Sequence, residues 1–467
     1  MKTIKEFGSQ VAVQQAVKYL NANPEKNLPK ILKLAEKFAT NPRDIRVIQS
    51  AQVRMKDPED PWSIAIQKFF RTVNPKMQKK FAVNFFLNSV VFGIPKKNEL
   101  QKELGIRIPW TILIDPTAKC NLKCTGCWAA EYDQKNDLSL ETLDRIIEEG
   151  KELGIYVYLY SGGEPTVRKD DLIELAKRHD DCFFLAFSNG TLIDETFADQ
   201  IAEVGNLTFA FSVEGDEEAT DFRRGEGTYK GVTRGMRLLQ ERGVFFGTSV
   251  CYHHYNYQEI GAEKFTDDML DLGAYFMWLF TYMPIGKDAD MNLVARPDER
   301  SFMYDRVRDM RRNKPMFFMD FWNDGEYVDG CIAGGRNYFH INAAGDVEPC
   351  AFVHYSDTNI KDVSLKEALA SPIFKAYAAR QPFNCNHLRP CPILDNPTMI
   401  HEMVSESGAH STQPVDHESS EFLMNKCLPI ASKWAPMADK IWVQSPAGIK
   451  QAETIDTEEK SKEKKYA

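Results

Sequence analysis

The sequence predicts an α/β protein built on a partial (β/α)6 barrel, with an N-terminal helical extension and a small C-terminal cysteine-bearing domain. Three observations predict it. Six short apolar runs recur between residues 110 and 280, separated by amphipathic stretches. The chain before residue 106 is helical in pattern and basic. After about residue 320 the rhythm breaks and half of the ten cysteines collect there.

The first 60 residues carry apolar positions at three- and four-residue spacings, broken at NANPEKNLP and TNPRD, with a further break at PEDP. Residues 62–97 are dense in aromatic side chains from Phe69 to Phe92. Asn84, Asn88 and Ser89 interrupt them, and the apolar run falls short of the ~20 residues that a membrane span needs. The predicted strands are 110–115, 155–160, 182–187, 207–213, 244–251 and 274–280. Helices are predicted at 139–153, 170–178, 195–204 and 229–242. Such alternation implies right-handed crossovers and a parallel sheet. Residues 337–350 read as a hairpin turning at Ala344–Gly345. A helix over 364–380, a loop over 404–420 and a helix over 421–442 follow. The charged tail is expected to be disordered. The expected units are therefore 1–105, 106–320, 321–445 and 446–467.

Composition excludes a disordered or collagen-like chain: 43% of residues are hydrophobic and 27% charged. The opening MKTIKEFGSQVAVQQ is polar rather than an apolar leader, so a cytoplasmic setting is expected. There, ten cysteines read as metal ligands, catalytic thiols or buried core rather than disulfides. The net charge of −9 hides an asymmetry. Residues 1–110 hold 20 Lys and Arg against 9 Asp and Glu, a balance of +11, while the remainder holds 38 against 58, a balance of −20. A helical cap over the barrel mouth is the plain reading of the basic part. A sharper reading places Phe81 to Ile94, flanked by Lys76, Lys79, Lys80, Lys96 and Lys97, in a membrane interface, with a lipid-like substrate. Nucleic acid is not expected as a partner, because no RNA-binding motif accompanies these lysines.

Cys120-x3-Cys124-x2-Cys127 follows the first predicted strand. Three thiolates within eight residues suit zinc or an Fe–S cluster, but no fourth Cys or His stands nearby to complete a zinc site. Three cysteines leave one iron of a cubane cluster open for a small molecule. Polar, glycine-bearing segments end three of the later runs, Ser161-Gly162-Gly163-Glu164-Pro165, Ser188-Asn189-Gly190 and Ser212-Val213-Glu214-Gly215, and Tyr282-Met283-Pro284 ends the sixth. Asp221-Phe222-Arg223-Arg224-Gly225 follows the fourth. These are the strand ends at which α/β barrels build active sites. Cys182 and Cys251, inside predicted strands, read as core.

On these residues the chain, over roughly 107–320, resembles the radical S-adenosylmethionine superfamily, whose barrel is a partial, TIM-like one. The resemblance implies that Cys120, Cys124 and Cys127 hold a 4Fe-4S cluster. It implies that S-adenosylmethionine chelates the open iron and is cleaved by one electron to a 5′-deoxyadenosyl radical, which abstracts a substrate hydrogen atom. It places the methionine amino group at Gly162, Gly163, Glu164 and Pro165. The ribose and carboxylate fall at Ser188, Asn189, Ser212 and Glu214, Arg224 belongs to the D-x-x-R-G segment, and the adenine lies near Met283. One departure stands out: many members carry an aromatic before the third cysteine, where this chain has Gly126.

Cys331-x13-Gly345-x4-Cys350 resembles the start of the SPASM or twitch accessory domain, which carries auxiliary Fe–S clusters. The full two-cluster pattern needs seven cysteines, and this chain has five after residue 330. Aligned on Cys385-x5-Cys391, Pro382 and Asp395 stand where cysteines would. One auxiliary cluster is therefore expected, on Cys331, Cys350 and Cys391 with Cys385 or Cys427 as the fourth ligand, and with His340, His354, His387 and Asp395 in reserve. The function expected is an oxidoreductase or other C–H-functionalising enzyme of unassigned substrate, served by a reductant such as flavodoxin or ferredoxin. The alternatives are the same chemistry on a lipid-like substrate, at the inner membrane surface, and a non-catalytic Fe–S electron carrier. An electron carrier has no use for Gly162, Gly163, Glu164 or Asn189.

Overall fold

The computed structural model describes residues 4–38, 42–129, 137–286, 289–413, 415 and 417–454. The six predicted runs form β1 (Thr111–Ile114), β2 (Val157–Tyr160), β3 (Phe183–Ser188), β4 (Leu207–Val213), β5 (Gly247–Tyr252) and β6 (Phe276–Thr281). All five neighbouring pairs are parallel. The intervening helices, Leu140–Glu152, Lys169–Arg178, Glu195–Val204 and Thr228–Glu241, lie close to their predicted spans. Ser139 and Asp194 start two of them by accepting the N–H of Thr142 and Phe197.

The sheet is wider than expected. β7 (Phe317–Asp320) adds beside β6, and β8 (Tyr338–Ile341) pairs parallel to β1, aligning Thr111 with Tyr338 and Ile114 with Ile341. The hairpin forms as predicted, with β8 antiparallel to β9 (Val347–Glu348). Its turn is an Asx turn: Asn342 Oδ1 accepts from Ala344 and Asp346 N–H, and Gly345 sits at φ 98°. The accessory segment is thus welded into the barrel sheet. A chain truncated before Cys331 leaves β1 as a bare edge of unpaired peptide groups. It is expected to elute in the void volume on size exclusion, where the full chain does not.

The N-terminal helices are Ile4–Ala22, Pro24–Phe38, Pro42–Arg54, Pro61–Thr72 and Pro75–Lys80, followed by a π-helical stretch Phe81–Gly93 and the helix Ile94–Leu104. Proline opens four of them, where its missing N–H is no loss. Asp60 and Asn74 cap two. Contrary to the expectation of a cap over the barrel mouth, this module packs against the opposite end. Phe69 and Phe81 pack on Phe245, which precedes β5, at 5.6 and 5.3 Å. Phe85 packs on Trp110 and Phe183, at the start of β1 and β3, at 5.4 and 5.9 Å. The asparagines that interrupt the apolar run pin it in place, Asn84 donating to Cys182 O and Asn88 to Asp181 O. Two of the flanking lysines are engaged internally: Lys80 binds Asp180 and Lys96 the Lys151 carbonyl.

Downstream, the helix expected over 364–380 breaks into Leu365–Leu369 and Pro372–Arg380. The expected loop over 404–420 begins as the end of helix Pro397–Ser407, and His410–Ser411 pairs with Tyr355–Ser356. The tail expected to be disordered from residue 446 is helical over 446–454, held by Gln451 donating to Cys385 O and accepting from Trp442 Nε1. Residues 455–467 lie outside the described ones.

Candidate active site

The cysteine loop leaves β1 and is laid across the end of β2. Gly163 and Glu164 N–H donate to Thr117 O and Lys119 O at 3.0 and 2.8 Å. A Cβ at Gly163 would stand 2.2 Å from Lys119 O, and one at Gly162 2.6 Å from Thr117 O. These glycines therefore admit the loop's own backbone, not merely a ligand. Gly163→Ala is expected to lift the loop off its seat, and the variant should bind less than half the iron of the parent on reconstitution. Further along, Thr125 N–H donates to Arg223 O at 2.8 Å. Gly126, at φ 64°, faces the Tyr282 ring, whose hydroxyl lies 2.4 Å from where a Cβ would be. Tyr282 thus fills the space in front of the third cysteine that an aromatic neighbour would otherwise take.

Cys120, Cys124 and Cys127 face one cavity, together with Gly162, Gly163, Glu164, Ser188, Asn189, Ser212, Arg224 and Met283. Of the residues expected at this site only Pro165 and Glu214 do not line it. Pro165 is buried at the start of a short 3-10 turn. Glu214 sits behind the wall, fully buried, its Oε1 accepting from Arg223 and Arg224. The three thiols influence one another electrostatically, and burial pushes Cys120 up to about 11 and Cys127 upward. Among the described residues no three His, Cys, Asp or Glu groups are arranged for a single metal ion. Three thiols around one cavity, with glycine backbone against them and no fourth protein ligand beside them, fit the multi-iron group better than zinc.

Several residues named from sequence take a different part in the structure. Glu164, read as a ligand to the methionine amino group, is fully buried, with burial raising its pKa. Its Oε2 accepts from Asn189 N–H at 2.7 Å and its Oε1 from Ser188 Oγ at 2.8 Å, so it locks β2 to β3. Asn189 in turn donates to Asn121, next to Cys120. Arg223 and Tyr282 line the cavity, as does Cys251, which was assigned to the core. His340, a reserve metal ligand, sits instead between Asp115 (3.0 Å) and Glu348 (2.6 Å). Burial opposes its charge, but the two carboxylates outweigh it and hold the imidazole at about 10.

In the second set, Cys331, Cys350 and Cys391 gather around buried Tyr377, and burial pushes all three thiols upward, Cys350 to about 12. Tyr338 Oη contacts Cys350 Sγ at 2.7 Å. The two candidate fourth ligands sit in different settings. Cys385 is exposed, and Cys427 is buried within helix Ser420–Trp442 among Lys426, Glu418 and Asp395. Asp395 acts on Cys331, Cys391 and Cys427, while Arg300 pairs with it at 2.7 Å. Three converging thiols again fit an Fe–S group. His354 contacts Ala351 O and Trp128.

Residues 114–263 match the family model of the radical SAM superfamily, and residues 331–392 match the SPASM model, an iron-sulfur cluster-binding domain. An Fe-coproporphyrin III synthase of Methanosarcina barkeri is 38% identical over 151 residues, 31% of this chain and 38% of that protein. An AdoMet-dependent heme synthase of Oleidesulfovibrio alaskensis is 25% identical over 316 residues, 60% of this chain and 79% of that one. A PqqA peptide cyclase of Bradyrhizobium diazoefficiens is 25% identical over 262 residues, 52% and 67% of the two chains. Among solved structures, Streptococcus suis SuiB bound to S-adenosylmethionine superposes with a TM-score of 0.53 at 16% identity, over 74% of this chain and 84% of that one, a likeness of fold.

Proposed function

We propose that this chain, with its radical S-adenosylmethionine and SPASM domains, is an enzyme that abstracts a hydrogen atom from a substrate held in the barrel cavity. When bound, the cluster and S-adenosylmethionine supply a one-electron cleavage that yields the abstracting radical. Cys120, Cys124 and Cys127 would hold the 4Fe-4S cluster. Gly162, Gly163, Glu164, Ser188, Asn189, Ser212, Arg224 and Met283 would surround S-adenosylmethionine, with Pro165 and Glu214 shaping that wall from behind. The observation that carries this reading is the convergence of the three thiols and these segments on one cavity. Cys120 reaches the surface at the rim of the cavity, although protein packed about its thiol raises its pKa, and this leaves that edge open to a one-electron donor such as flavodoxin or ferredoxin.

The SPASM domain brings auxiliary Fe–S chemistry, which we assign to Cys331, Cys350 and Cys391. It would take the substrate electron, deliver one, or anchor the substrate. Cys391→Ser is expected to lose that iron on reconstitution while Cys385→Ser keeps it, read by iron analysis and electron paramagnetic resonance. The names of the relatives describe work on tetrapyrroles and on a peptide. They support C–H functionalisation as the class of reaction. The deciding experiment is anaerobic reconstitution followed by dithionite and S-adenosylmethionine. Formation of 5′-deoxyadenosine is expected; its absence with the cluster intact overturns the reading.

No helix among the described residues is long and apolar enough to cross a membrane. A peripheral membrane contact is favoured by Phe86, Val90 and Val91, which stand exposed on the N-terminal module beside exposed Lys79 and Lys96. The full chain is expected to float with anionic vesicles at low salt and to sink at high salt.

A further inference from the structure

The barrel is hollow along its axis. Strand residues that point outward, such as Tyr158, Tyr160 and Phe184, are sealed under the helices at 0% exposure. Their inward neighbours, Leu159, Leu185 and Phe187 among them, line a cavity instead of filling it. That cavity measures about 1250 Å³. Protein interiors rarely keep voids larger than a water molecule, and ordinary ligand sites run to about 1,000 Å³. It is continuous from the cysteine loop at one end to Trp62, Phe69 and Phe86 of the N-terminal module at the other. S-adenosylmethionine accounts only for the cysteine end.

Three features of the far end define what fits there. Its walls are apolar and aromatic, with Phe183, Phe245 and Trp278 on the strands and Phe81 and Phe85 on the module. Among the described lining residues away from the cysteine end, the one charged side chain is Lys97. Lys97 is 9% exposed, and among the described residues nothing pairs with its ammonium, which burial pushes below its usual range. Finally, Phe86 and Val90 both line the cavity and reach the surface, at 52% and 38% exposure. They mark an opening among exposed apolar residues.

We propose that the lumen below the cysteine loop binds the hydrocarbon chain of an amphiphile with an anionic end, the anion meeting Lys97 and the chain running toward Cys120, Cys124 and Cys127. This rests on the radical enzyme reading for its chemistry but not for its binding. The chain, not the polar end, would then present the C–H bond that reacts. A tetrapyrrole fits less well, because its several carboxylates would meet a single cation in this part of the cavity.

The test uses the full-length protein and a dibrominated stearic acid, whose bromines quench nearby tryptophans such as Trp278 and Trp110. Saturable quenching is expected without S-adenosylmethionine. Leu185→Phe, which fills the lumen, should weaken it by about tenfold or more. The same substitution should leave the melting temperature unchanged or higher, since it fills space rather than overpacking a full core. Lys97→Met should weaken stearic acid by about tenfold while leaving brominated stearyl alcohol unaffected. Vesicles of brominated phosphatidylglycerol form a second arm: quenching by them alone assigns the chain to a membrane phospholipid, and quenching by the free acid alone to a soluble fatty acid. No saturable quenching in either arm, equal affinity in Leu185→Phe, or tighter binding of coproporphyrin than of either lipid overturns the proposal. A protein that binds the chain yet yields no 5′-deoxyadenosine with dithionite separates failure of the enzyme reading from failure of this one.

Discussion

Replacing Cys120, Cys124 and Cys127 together with Ala is expected to remove about four irons per chain, the content of one cubane cluster, and to abolish 5′-deoxyadenosine formation. The loop that carries them is held by backbone hydrogen bonds, from Gly163 and Glu164 to Thr117 and Lys119 and from Thr125 to Arg223. None of these uses a cysteine side chain, so the triple variant should keep its circular dichroism and stay monodisperse. The thiols are also costly to ionise in the empty protein, since burial raises Cys120 and Cys127. Cluster assembly must therefore release protons, and incorporation into the parent should proceed further at pH 8.5 than at pH 7. The contrast comes from Cys182 and Cys251. Cys182 is fully buried at the head of β3, and Cys251 lines the cavity on β5, one strand away from the loop's own anchor. Ala at either position should leave the iron content at the parental value. Loss of iron in the Cys251 variant, with the loop cysteines intact, would mean that the ligand set is drawn wrongly.

The barrel was legible because each of its strands is a buried apolar run with an amphipathic helix behind it, a pattern local enough to read. β7 and β8 were not. β7 is only Phe317–Asp320, and β8 read simply as one arm of a hairpin. Its parallel partner β1 lies over 200 residues earlier in sequence. The cysteine loop and the strand-end segments were legible as chemistry. What those segments do with one another was not: Glu164 binding Asn189, or Glu214 binding Arg223, are contacts made only once neighbouring strands align. The N-terminal module was placed at the wrong end of the barrel, although a signal existed. Phe183, Phe245, Tyr275 and Phe317 each stand at the head of a strand, and Trp110 precedes β1. Aromatic side chains at the N-terminal ends of parallel strands need covering, and only the Phe-rich module is apolar enough to cover them. Neither the hollow interior nor the burial of Lys97 has any sequence signal, because both depend on what the barrel leaves empty.

Glu214→Gln is expected to cost about 3–5 kcal/mol of stability at neutral pH, because it strands two buried guanidinium groups. Glu214 is fully buried, and its Oε1 accepts from Arg223 Nη1 at 2.6 Å and from Arg224 Nε and Nη2 at 2.8 and 2.6 Å. Gln matches its shape but not its charge. The urea midpoint should fall with little change in slope, the pattern of a native-state loss. Burial alone would raise the Glu214 pKa, but Arg223 and Arg224 outweigh it and hold it below the ordinary 4.5. A carboxylate depressed in this way stabilises the fold above its unfolded pKa and loses that contribution as pH falls through the folded one. The gap between parent and variant should therefore be full at pH 7, persist to about 4.5, and close only on further acidification. The consequence reaches the cysteines through one hydrogen bond, since Arg223 O holds Thr125 N–H at 2.8 Å between Cys124 and Cys127. If Glu214 acts by positioning that loop, the variant should lose iron under conditions where it is still folded. If its role is stability alone, iron content will track the folded fraction at every urea concentration.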